Sequence, residues 1–348
     1  MNFDDLARRP SAWLREGGVD ADVVVSSRIR LARNLTGYSF VGKATDMDLE
    51  NLRKTVFNAA DKLFDDDVTF LDMDDVAKED AALLAERRVV GESFVNSARP
   101  RSVIIHDDEK YSVMINGEDH LRIQTLGCGF SLAELWRLAN ALDDKLESEL
   151  HYAFDDKLGY LTANPQNVGT GLRASVLLHL PALVETNEMT KVVRSLNKLN
   201  LNVQGLCGKG VRAYGEFYLV SNQTTLGVSE EMIVEQLSEL VPSLVNYERE
   251  ARQTVLERNR DGLLDRCYRA LALLKMARTM SLHEATSHLS SLRLGVRLGL
   301  LDKPSLQLVD DALLHIQPAH LHRFADVKGD EDSERACYLR NLFIGPEK

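Results

Sequence analysis

The chain has 348 residues, 44% of them hydrophobic and 27% charged, and its 42 Lys and Arg against 53 Asp and Glu give a formal net charge of −11. That length suits two domains, and the acidic balance speaks against a nucleic-acid binder. Cys128, Cys207, Cys267 and Cys337 have neither zinc nor disulfide-framework spacing, no run of about 18 apolar residues occurs, and the polar start does not read as a signal peptide. The expectation is a soluble cytoplasmic protein with reduced thiols, no membrane contact and no metal held by side chains.

Residues 1–20 read as a short, polar, amphipathic start. ADVVVSSRIRLARNL (21–35) opens β-rich, and alternation puts Arg28 and Arg30 on one face of an extended segment. Two guanidinium groups there repel unless an anion lies between them, although an exposed basic edge strand has the same spacing. Apolar positions recur with helical period over 46–65 and 77–90. Between them, FDDDVTFLDMDD (64–75) reads as a solvated acidic connection. Residues 101–115 read as a β-hairpin turning at Asp107 and Asp108. A helix is expected over 131–150, with Ser131 as N-cap and Glu134 three residues on.

LTANPQNVGTGLR (161–173) follows. It has an apolar step, a break at Pro165, two glycines and then an apolar run, ASVLLHLPALV, that reads as a helix over 172–184. A Gly-rich turn ahead of a helix favours anions, and Arg173 would reach the same one, but loops of this kind are common. Further on come a helix over 185–200, a Gly-rich loop between strand-like runs in 201–220, and a segment (221–237) leading into a helix. Beyond about 245 the pattern is helical, over 248–280, near 281–301 and near 304–315.

Several of these segments together resemble the ATP:guanidino phosphotransferases. Residues 161–173 are similar to that family's C-P-x-N-x-G-T-G-x-R, with Asn164 in place of the reactive cysteine. SSRIR matches its first pair of nucleotide-phosphate arginines. NGEDHLR resembles N-E-E-D-H-L-R, with Gly117 at the first glutamate. The loop in 201–220 aligns with V-R-G-x-x-G-E-G, with Gln204 at a phosphate-binding arginine and Lys209 at a second carboxylate. SNQTTLGVSE matches S-N-x-x-x-L-G-x-S-E. LHEATSHLSSLRLGVRLGLL and the ending IQPAHLHRFA…DSERACYLRN resemble the C-terminal domain of the protein arginine kinase branch. That branch's R-D-x-x-R-A motif corresponds here to Glu331, Asp332, Arg335 and Ala336.

The resemblance implies an α+β fold: a phosphagen-kinase-like catalytic domain over 1–244, with an antiparallel sheet flanked by helices, then an all-helical domain over 245–348. It implies ATP, with Mg2+ carried on its phosphates, held by Arg28, Arg30, Arg122 and Arg173, with Gln204 at a fifth position. Glu118, Asn164 and Lys209 fall at the catalytic acceptor positions. Asp332 and Arg335 fall at the phosphoarginine-reading positions. The implied partners are protein substrates with exposed arginines, a second copy of the chain, a zinc-binding activator protein and a Clp-type unfoldase.

Phosphoryl transfer needs alignment and charge cancellation, which arginines supply, while a cationic guanidinium acceptor needs carboxylates to orient it. The nucleotide side is kept better here than the acceptor side. A lysine at about 4 Å from a guanidinium costs on the order of 4 kcal/mol at an effective dielectric near 20. Lys209 shares a loop with Gln204, so the two changes read as a compensating exchange of charge. Two classes therefore fit: an ATP-dependent arginine kinase with weakened or altered acceptor chemistry, and a protein of the same fold that binds nucleotide or partners without turnover. A small-guanidine phosphagen kinase fits the C-terminal half less well.

Overall fold

The computed structural model describes residues 1–15, 17–64, 67–206, 213–324 and 329–344. In chain order these form α1 (Phe3–Arg8), β1 (Val24–Arg33), α2 (Asp46–Leu63), β2 (Val68–Asp72), α3 (Lys78–Glu86) and α4 (Glu92–Val95). Next come β3 (Ser102–His106), β4 (Tyr111–Ile115), β5 (Leu121–Cys128), α5 (Leu132–Glu147), β6 (Phe154–Asp155), β7 (Gly159–Tyr160) and β8 (Leu172–His179). They are followed by α6 (Pro181–Glu185), α7 (Met189–Lys198), β9 (Leu201–Gly205), β10 (Phe217–Asn222) and α8 (Glu230–Met276). The last four are α9 (Leu282–Arg297), α10 (Leu306–His315), α11 (Pro318–Phe324) and α12 (Glu331–Ile344).

Eight strands make one antiparallel sheet in the order β2-β3-β4-β5-β1-β8-β10-β9, and β6 pairs with β7 apart from it. β1 is central, between β5 and β8. Its Ile29 and Leu31 face the helix layer of α5 and α8 in the main core, so alternation turns Arg28 and Arg30 to the opposite face. That second face is partly covered by Trp13, Leu14, Leu313 and Leu314. The α+β architecture expected from the sequence is the one observed.

Three local expectations are corrected. The run after Gly171 is not a helix over 172–184. Leu172–His179 is a strand, and only Pro181–Glu185 is helical. Ala174 to His179 are buried throughout, and a short run buried on both faces has no period that separates strand from helix. The acidic stretch over 64–75 contains edge strand β2, paired along β3, with Asp67 and Asp72 at its ends discouraging further pairing. Ser131 stands at the start of α5 but makes no side-chain cap bond; its hydroxyl donates to the Cys128 carbonyl.

The expected domain limit at 244/245 falls inside α8, which runs helical to Asn259. There φ is −154° and ψ is 62°, and the Asn259 side chain accepts from the Gly262 N–H at 3.0 Å, starting a second helical segment.

Candidate active site

Strand register brings the arginines together. On β1, Arg30 lies opposite Arg173 of β8, while Arg28 lies opposite Ser175 on the same face. Arg122 pairs with Ala32 one step further along β5. Directly opposed residues have Cβ atoms about 5 Å apart, so Arg28, Arg30, Arg122 and Arg173 form one patch. Burial holds the Arg28 guanidinium well below its ordinary pKa, and Arg30, Arg88, Arg173 and Arg122 add to the shift. Arg30 is pushed down to about 9 by burial first, then by Arg122 and Arg173, with Glu118 opposing. Arg173 is lowered by burial and by Arg122.

The charge is not balanced. The guanidinium groups of Arg28, Arg30, Arg88, Arg122 and Arg173 gather here; Glu118 pairs with Arg122 at 2.9 Å, and Glu86 and Glu92 line the adjoining cavity with Arg28 and Arg88. The Nε atoms of Arg28, Arg30 and Arg173 are buried and lack an acceptor among the described residues. Buried donors and like charges in this arrangement call for a polyanion.

Arg88 is the residue the sequence did not reveal. It sits at the end of α3 with φ of +63°, and its guanidinium lies over the Trp13 ring at 4.0 Å. Gln124, opposite Arg30, donates to the Arg88 carbonyl at 2.7 Å and holds this turn. No spacing rule could have found it, because only the fold brings ERRVV to the sheet. Arg33, three residues past Arg30 and so on the opposite face of β1, is a structural group instead. It is 1% exposed, paired with Asp143 at 2.6 Å, and donates to the Thr170 carbonyl at 2.8 Å.

The 161–171 loop carries the second half of the site. Asn164 donates from Nδ2 to Glu118 Oε1 at 3.2 Å, while its Oδ1 accepts from the Gln166 N–H. Both oxygens of Glu118 are thus engaged, one by Arg122 and one by Asn164. The next residue, Asp119, fixes the loop: Oδ1 accepts from Asn34 Nδ2 and from the Ala163 N–H, both at 2.7 Å. Burial raises the Asp119 pKa against the pull of these bonds. His120 accepts at Nδ1 from the Leu35 N–H and donates from Nε2 to the Ser39 carbonyl. The EDH triplet therefore offers one carboxylate to the site and uses two side chains as staples. Replacing Asp119 with alanine is expected to cost about 2–4 kcal/mol, read by denaturant unfolding, because two buried donors lose their acceptor.

Gly169 has φ of +114°, and an added Cβ would lie 2.1 Å from the Thr225 carbonyl oxygen. The loop leads into strand β8 rather than a helix, so the positive field of the patch comes from its guanidinium groups rather than from a helix following this loop. Ser221 accepts from Arg173 at 3.1 Å and so aims it. Asn222 bonds across to Ala174 and Leu172.

Gln204 is exposed on β9, opposite Leu219. Leu219 is in register with Leu177, and Leu177 with Ser26, so Gln204 shares the arginine face two strands beyond β8. Lys209 and Cys207 lie outside the described residues. Asp332 and Arg335 are brought together, at 2.7 Å. Arg335 is 1% exposed, and it also donates to the carbonyls of Ile316 and Met280. It acts as a strut tying α12 to the ends of the neighbouring helices. A cavity of about 400 Å³ adjoins the patch, lined by Trp13, Arg28, Arg88, Leu177, Phe217 and Leu219 among others. Among the described residues no group of three or more His, Cys, Asp or Glu could hold a metal ion, and no helix is long and apolar enough to cross a membrane.

The antiparallel sheet carries convergent guanidinium groups on one face, with the Glu118 carboxylate at their edge. Residues 49–251 match the family described as ATP:guanido phosphotransferase, C-terminal catalytic domain, and residues 260–347 match the protein-arginine kinase McsB C-terminal domain. The chain is 41% identical to a protein-arginine kinase of Halalkalibacterium halodurans, over 95% of this chain and 94% of that one. It is 40% identical to a protein-arginine kinase of Symbiobacterium thermophilum, over 98% and 99%. The crystal structure of a lombricine kinase superposes with a TM-score of 0.60 at 25% identity, covering 71% of this chain and 70% of that one. The chain belongs to the ATP:guanido phosphotransferase family.

Proposed function

We propose that the protein is an ATP-dependent kinase of arginine side chains in proteins. The observation that carries this reading is the convergence of Arg28, Arg30, Arg88, Arg122 and Arg173 on one face with Glu118 as the carboxylate at its edge. The relatives named protein-arginine kinase supply the substrate class. In this reading the arginines hold the triphosphate and spread its charge over several guanidinium groups, with Mg2+ riding on the phosphate oxygens. The apolar cavity beside Arg28 takes the base, against Trp13, Leu177 and Phe217. Glu118 holds the guanidinium acceptor and takes its proton. An acceptor nitrogen attacks the γ-phosphorus, the bond to the β–γ bridging oxygen breaks, and ADP leaves.

The engagement of both Glu118 oxygens favours a second reading, a nucleotide-binding protein without turnover. Asn164 carries no charge to help the acceptor, and it occupies an oxygen that the acceptor needs. The deciding experiment incubates the protein with Mg2+, γ-labelled ATP and an arginine-rich protein, scoring acid-labile phosphate, beside a calorimetric titration of nucleotide. Turnover that disappears in Glu118→Ala excludes the second reading. Nucleotide binding without turnover excludes the first, and absence of both removes the site assignment.

We further propose that the catalytic unit ends near Asn259 rather than at 244, since α8 is helical through 244 and the two family matches part between 251 and 260. A cytoplasmic setting suits the free thiols of Cys128, Cys267 and Cys337.

A further inference from the structure

The cavity beside Arg28 draws its walls from distant parts of the chain. Leu177 and Leu219 come from strands β8 and β10, and Trp13 from the segment ahead of β1. Leu282 of α9 and Leu313 and Leu314 of α10 line it as well. These three leucines lie within 260–347, beyond the 49–251 match to the catalytic domain. Their placement is firmly built. Ser281 caps α9 by accepting from the Glu284 N–H, which sets Leu282 in the first turn. Arg293, 1% exposed, pairs with Asp310 of α10 at 3.0 Å and donates to the carbonyls of Ala21 and Asp22, just ahead of β1. Glu86, two residues before Arg88, accepts from the N–H groups of Ala319 and His320 at 2.7 and 3.0 Å. Leu314 itself packs in one cluster with Trp13, Leu177 and Phe217.

We propose that the C-terminal helical region is part of the nucleotide site, with Leu282 and Leu313 in contact with the base of the nucleotide whose phosphates lie on the arginines. The inference rests on the proposed binding of ATP at those arginines. Continuity chooses the occupant. Arg28 and Arg88 belong both to the arginine cluster and to the cavity lining, so a molecule with its phosphates on the cluster extends into the cavity. The volume, about 400 Å³, falls within the roughly 300–1,000 Å³ of small-molecule sites, and an aliphatic and aromatic lining suits a flat base. A base held there touches the sheet and the helices at once. Its binding and the docking of α9 and α10 on the sheet therefore stabilise each other, because linkage is reciprocal.

The test titrates the full chain with Mg-ATP and with magnesium tripolyphosphate, which carries the phosphates without the base. Leu282→Asn and Leu313→Asn leave the charge unchanged. Each is expected to weaken ATP binding about tenfold and tripolyphosphate binding less than about twofold. Retained tripolyphosphate binding also reports an intact fold. Hydrogen exchange of the unaltered chain is the second measurement, and it stands even where a variant fails to fold. ATP is expected to slow the amides in the first turn of α9 and the last turn of α10 at least about threefold more than tripolyphosphate does. Unchanged ATP affinity in either variant overturns the proposal and leaves the arginine site standing. So does an equal loss of both ligands, which would make the leucines supports of the fold, and so does equal protection by both ligands. An unaltered chain that binds neither ligand removes the arginine site and this inference together.

Discussion

Arg28→Met is expected to weaken Mg-ATP binding by about 100-fold or more, while making the nucleotide-free protein about 1–2 kcal/mol more stable. Both signs follow from the same cluster. Arg28 is surrounded by Arg30, Arg88, Arg173 and Arg122, and its Nε is buried without an acceptor. Without a polyanion each of these groups repels its neighbours at reduced dielectric, and methionine keeps the apolar stem while removing the charge. The pH dependence has the matching sign. Arg30 is depressed to about 9, so the unfolded chain binds more protons above that value. The cost of the buried cation is therefore present in full at neutral pH, and stability gains from this group as pH rises beyond about 9. Calorimetric titration with Mg-ATP and thermal unfolding with and without nucleotide measure the two effects. A variant that binds ATP like the parent, or that is destabilised without it, would show that the arginines serve the fold.

Glu118→Gln should lower phosphoryl transfer by about 10²–10⁴-fold while changing Mg-ATP affinity only a few-fold. Glu118 sits where Arg122 and Asn164 converge, 44% exposed and outside the hydrophobic core, so its loss does not empty a cavity. Glutamine keeps the size but loses the charge that orients a guanidinium, and its amide NH₂ would face a donor from Arg122 or Asn164. Single-turnover transfer to an arginine-rich protein, beside a nucleotide titration, separates the roles. A loss of ATP affinity as large as the loss of transfer would move Glu118 to the nucleotide side.

Much of the site was legible because its residues come in short motifs. SSRIR alternates, so a strand there had to put Arg28 and Arg30 on one face. EDHLR follows an inward turn at Asn116, and it delivers Glu118 and Arg122 to the same edge. The run after Gly171 was misread because its residues are buried on both sides, which erases the two-residue rhythm of a strand. The staple roles of Asp119 and His120 were hidden for another reason. Their partners, Asn34, Ala163, Leu35 and Ser39, lie in other parts of the chain.

By itself the sequence pointed to the class of fold and to a helical C-terminal region through contiguous motifs that resemble a known family, and its alternation put Arg28 and Arg30 on one face. Only the tertiary structure decided that Arg88 joins them over Trp13, that Arg33 faces the core, and that Asn164 bonds to Glu118. Only the fold turned Arg335 into an interhelical strut. Local pattern sets which way a side chain points from its own strand. What it meets there depends on register and packing between segments far apart in the chain, and no single window of residues contains that information.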